Sequence, residues 1–218
     1  MQMVFNFVHF NRIADAIIPL GNEVNSYKYL KPLLSDTVDL FKRKESYAKN
    51  ILWEIELWSK LKRQMHDVYL QEPDLMLDFS GSTVSMACKK IYSEKNVEKT
   101  LSDAVRQTKF SGALGIISMN LDDLTPAETI LRSNNFETMN NRLVHLNGEF
   151  IRNHERYFQK YLSKGRIIAV LVSTTVIAAI DEATTPIYTA SQWNIWTMPG
   201  ISEEYDSLAK RVYHLVMQ

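Results

Sequence analysis

A single cysteine, Cys88, among 218 residues excludes an intramolecular disulfide and fits a chain that works in a reducing, cytoplasmic compartment. An excess of one charge is also missing. With 25 Lys and Arg against 25 Asp and Glu, no net field draws the chain to a polyanion. The longest uncharged run, Ile167–Ile180, has 14 residues, short of the roughly 20 that a membrane-spanning helix requires. Its first residues hold no basic stretch followed by an apolar core and a small-residue cleavage site, so secretion is not expected. The five histidines, His9, His66, His145, His154 and His214, are scattered, and with one cysteine they form neither a zinc-ligand spacing nor a Cys/His nucleophilic pair. Internal repeats, low-complexity segments and linkers are absent.

What is present suits one α/β domain spanning 1–218, with 45% hydrophobic and 23% charged residues. Residues 1–34 read as a packing segment, with Phe5, Phe7 and Phe10 and short helical patterns broken by Pro19, Gly21 and Pro32. Ser35 is a candidate N-cap for a long helix over 36–64, whose apolar stripe is Val38, Phe41, Ile51, Ile55, Trp58 and Leu61. A core region over 36–121 is followed by a polar connection at 122–135. A helix over 136–164 comes next, stopped by Gly165, and its aromatic face reads as core. A strand over 166–173, a strand or helix to 181, a strand over 186–198 and a last helix over 203–217 complete the sheet and its cover. Trp193 and Trp196, three apart in a strand, face opposite sides.

The segment from Pro73-Asp74 to Ile91 reads as a β-hairpin. With Gly81-Ser82 as a type II′ turn, Ser80 pairs with Thr83 and Asp74 lies opposite Lys89. Alternation then puts Asp74, Met76 and Asp78 on one face with Ser85, Ala87 and Lys89, and turns Cys88 into the other face as a buried hydrophobe. After the hairpin, Val97, Leu101, Ala104, Val105 and Thr108 mark a helix over 93–110, and the apolar run 113–119 marks a strand. Taken singly, Asp74 suits a turn, Lys89-Lys90 a solvated pair, and Glu56 an i,i+4 partner of Lys60.

In this order the segments resemble the PD-(D/E)xK, or restriction-endonuclease-like, nuclease superfamily, over roughly 36–121. The resemblance implies a central mixed sheet flanked by helices and Mg²⁺- or Mn²⁺-dependent hydrolysis of DNA phosphodiester bonds, as in restriction or anti-phage defence. It maps Asp74 onto the first metal-binding acid, Lys89 onto the lysine that orients water and stabilises developing charge, and Gln107 onto a supporting glutamine. Glu54 or Glu56 maps onto an acid of the preceding helix. The second acid position is Ala87, a departure that removes a metal ligand. It reads as an acid-to-alanine exchange that silences catalysis and keeps the fold; a degenerate site, or a second acid moved to Glu94 or Glu98, is the natural alternative. The alternative function is a nuclease-fold subunit that acts as a scaffold or nucleic-acid-binding partner. Basic clusters at 42–44 and 60–63 read as solvated faces, one at 152–166 is a further candidate, and one at 89–109 flanks the site. Neutral charge and the apolar N-terminal segment point to a multi-subunit assembly, with a protein partner or a second copy.

Overall fold

A computed structural model of the chain describes residues 2–24, 26–109, 111–163, 167–184 and 187–218, with all of their side chains except those of residues 2 and 4. The order is α1 (Gln2–Leu20), α2 (Tyr27–Leu33), α3 (Tyr47–Lys62), β1 (Val68–Gln71), β2 (Asp74–Phe79), β3 (Ser82–Lys90), α4 (Val97–Lys109), β4 (Leu114–Asn120), β5 (Ile130–Ser133), α5 (Phe136–Leu162), β6 (Ile167–Ile180), β7 (Tyr188–Thr197) and α6 (Glu203–Met217). Short 3₁₀ turns at Glu94–Asn96 and Asp122–Leu124 precede α4 and follow β4.

Among the described residues seven strands form one mixed sheet in the order β1-β2-β3-β4-β6-β5, with β7 along the other edge of β6. The hairpins β1-β2 and β2-β3 and the pair β6-β7 are antiparallel, while β3-β4, β4-β6 and β5-β6 are parallel. Parallel neighbours need crossovers, and the helices α4 and α5 supply them. Alternation along the strands divides the core in two. Leu77, Met86, Cys88, Ile116 and Trp193 face α1, α3 and α6, and Ala87, Ile117, Val170 and Trp196 face α4 and α5. Trp193 stacks on Trp53 while Trp196 meets Phe158, so the two tryptophans do lie on opposite sides.

Several boundaries differ from the sequence reading. Helix α3 begins at Tyr47, not at 36, because Ser46 caps it by accepting the Lys49 N–H. Ahead of it, the Asp36, Thr37 and Asp39 side chains accept the N–H groups of Thr37, Asp39 and Phe41, local bonds that compete with a helix. Helix α1 runs unbroken for 19 residues. Strand β1 had no strong alternation to announce it, and β5 lies within the expected polar connection. Strand β6 passes straight through Ser173-Thr174-Thr175 as 14 continuous residues, since β4 and β5 pair in turn along one edge and β7 along the other. The expected stop at Gly165, the strand start at 166 and Pro186 lie outside the described residues.

Candidate active site

The hairpin is present, but its register is shifted by two residues. Phe79 pairs with Ser82 and Leu75 with Met86, so the turn is Ser80-Gly81. The left-handed φ of +93° falls on Gly81 as the second turn residue, where glycine meets no steric cost, and this moves the turn one position back. Asp74 therefore does not lie opposite Lys89. Continued by one pair, the register sets Asp74 across from Ala87, the expected second-acid position. A shift of two preserves the faces, so Asp74, Ala87 and Lys89 still share one side.

Around Asp74 lies a cleft of about 440 Å³, walled by Tyr47, Asn50 and Glu54 from α3, by Glu72, Asp74 and Lys89 from the hairpin, and by Gln107 from α4. Its hydrogen bonds tie three elements together. Gln107 Nε2 donates to Asp74 Oδ1 at 2.8 Å and to the Pro73 carbonyl, and Lys89 Nζ donates to Gln107 Oε1 at 2.7 Å. Asp74 Oδ2 accepts the Cys88 backbone N–H at 2.6 Å and lies 3.7 Å from Lys89 Nζ. Burial raises the Asp74 carboxyl above its ordinary value against the pull of Lys89, the Cys88 N–H and Gln107. Burial, and then the nearby Asp74, push the Glu54 carboxyl up to about 8, so near neutral pH it holds a proton. Between the two upstream candidates, Glu54 is the one on the cleft. Glu56 turns to Arg12, bonded at 2.8 Å, and not to Lys60.

A divalent ion of the Mg²⁺ type takes several oxygens, commonly one or two carboxylates with water. Asp74 and Glu54 supply two, and both Asp74 oxygens already accept hydrogen bonds. Ala87 is fully buried with Ile117 and Val105 and does not line the cleft. Glu94 pairs with His154, and Glu98 with Lys160, both away from it. Among the described residues no group of three or more His, Cys, Asp or Glu is placed to hold a metal. The residues present thus fall short of the set the resemblance implies. The chain's own chemistry here is an ammonium, a buried carboxyl held by an amide and a backbone N–H, and a carboxylic acid that keeps its proton near neutral pH.

Lys90 corrects the reading of Lys89-Lys90 as a solvated pair. It is buried, 2.6 Å from Asn120 Oδ1 and 3.0 Å from Asp123. Lys49 also reaches Asp123, at 2.8 Å, and Arg12 reaches Asp122 at 2.7 Å. This buried charge network escaped the sequence reading; its only trace is a lysine inside an apolar helical stripe and an Asp-Asp pair after an apolar strand. Cys88 is buried on the opposite face from Lys89, and burial raises its thiol well above the ordinary range. No helix among the described residues is long and apolar enough to cross a membrane. No protein-family model, curated protein or solved structure matches the chain.

Proposed function

We propose that the chain carries the phosphodiester cleft of a PD-(D/E)xK-type, metal-dependent nuclease acting on DNA, and that with Ala87 it holds the backbone without cutting it appreciably. The observation behind this reading is the chain of contacts Lys89–Gln107–Asp74 across β3, α4 and β2, with Glu54 beside it. Lys89 offers the charge a phosphate needs, Gln107 fixes both Lys89 and Asp74, and Glu54 and Asp74 form the acidic floor. An acid introduced at position 87 would stand across from Asp74 in the sheet register and, extending from the apolar cluster toward the cleft, would add the donor that Asp74 and Glu54 lack for Mg²⁺ or Mn²⁺. A divalent ion held by that completed set would supply Lewis-acid polarisation of a phosphate and a more acidic bound water.

A second reading, a nuclease-fold subunit that works as a scaffold, is favoured by the close packing of Ala87 in an apolar cluster. The deciding experiment compares the chain with Ala87→Glu on linear, circular and single-stranded DNA, with Mg²⁺, Mn²⁺ or EDTA. Metal-dependent cutting by the glutamate form alone is the expected result. If that form folds and neither protein cuts, the scaffold reading takes over.

A further inference from the structure

Helix α1 carries two apolar faces where a helix lying on a core needs one. Phe5, Ala16 and Leu20 are buried on its inner side. On the outer side Met3, Phe7, Phe10 and Ile18 are 83, 66, 69 and 72% exposed. At 3.6 residues per turn these four fall within an arc of about 80°, a single stripe. The stripe borders an apolar groove of about 660 Å³ walled by Phe7, Trp53, Leu57 and Trp193. The groove is separate from the cleft around Asp74. At its rim stand Lys60 and Arg63 from the end of α3 and Asp15 from α1, and among the described residues none of the three makes an ion pair. Burial and the adjacent Arg63 hold the Lys60 ammonium below its ordinary value, the reverse of what an acidic neighbour does.

We infer that this face is where two copies of the chain meet in a two-fold dimer, α1 of each lying antiparallel to the other with its stripe along the other copy's groove. Area supports it. An aromatic side chain covers about 150–250 Å², so the stripe offers roughly 500–600 Å². The groove walls bring each copy toward the ~800 Å² per partner of a stable interface. At the register of greatest stripe overlap the second copy's Asp15 falls level with position 6, so the contact is mainly apolar and leaves Lys60 and Arg63 at its polar rim. Equal numbers of acids and bases leave no net repulsion between copies. A lipid surface fits less well, because α1 has no lysine and its one arginine, Arg12, is committed to Glu56 and Asp122. Greatest overlap of the stripe with its copy puts the axis near Phe10 and Met3 near the other copy's Ile18.

Sedimentation velocity of the full chain over a concentration series tests this. A species of twice 25.2 kDa is expected. Phe7→Glu with Phe10→Glu is expected to weaken it at least about tenfold while leaving the circular dichroism and thermal midpoint in place, because both positions are exposed. If that double variant does not fold, Phe10→Cys serves instead: oxidation should join two copies at the axis, whereas Lys99→Cys on the far helix should not, and the buried Cys88 stays out of the reaction. A 25.2-kDa monomer at every concentration, a dimer indifferent to the double variant, or a monomer captured by anionic lipid vesicles overturns the inference.

Discussion

Glu54 titrates far from an ordinary glutamate because burial removes its solvent and Asp74 adds a like charge. Between pH 4.5 and about 8 the folded chain keeps a proton there that the unfolded chain has released. Stability is therefore lost as pH rises through this window, by an amount on the order of a few kcal/mol. Glu54→Gln removes that titration. Its thermal midpoint is expected to gain on the parent chain progressively from about pH 5 to about pH 9. An offset that stays constant over this range would show that Glu54 ionises normally. The same carboxyl makes a sensitive probe of any cation entering the cleft, since a cation expels its proton.

At the scale of elements, the start of α3 decides which side chains reach the cleft, because Tyr47, Asn50 and Glu54 lie one turn apart along it. Two serines compete for the cap in the sequence, and only tertiary context separates them. Ser46 accepts the Lys49 N–H and donates to the Thr37 carbonyl at 2.6 Å. Ser35 is exposed, and among the described residues its hydroxyl donates to the Pro32 carbonyl alone. Ser46→Ala is expected to cost about 1 kcal/mol in urea unfolding, against less than about 0.5 kcal/mol for Ser35→Ala. Equal costs would return the helix start to the earlier position.

Across the whole molecule, Asp123 is the knot. It holds Lys49 of α3 and Lys90 of β3 with side chains no more than 2% exposed, and Asp122 beside it holds Arg12 of α1 and the Thr175 N–H of β6. Removing the acid leaves two ammonium groups buried without compensation, so Asp123→Ala is expected to destabilise by about 3–5 kcal/mol, against about 0–1 kcal/mol for Glu98→Ala at its exposed pair with Lys160. Equilibrium denaturation of the two variants measures the contrast; a small loss at Asp123 would mean that water reaches the network. The α/β class, the hairpin–helix–strand order, the long α5 and the last helix were all legible by themselves, because periodicity and turn residues act over a few neighbours. The sequence also set which residues share the face of Asp74, since strand alternation survives a two-residue slip. Only the tertiary structure decided the hairpin register, the choice of Glu54 over Glu56, the burial of Lys90 and the place of β5. Each of these depends on which distant groups compete for one buried position, and that competition is settled by desolvation, which no local pattern records.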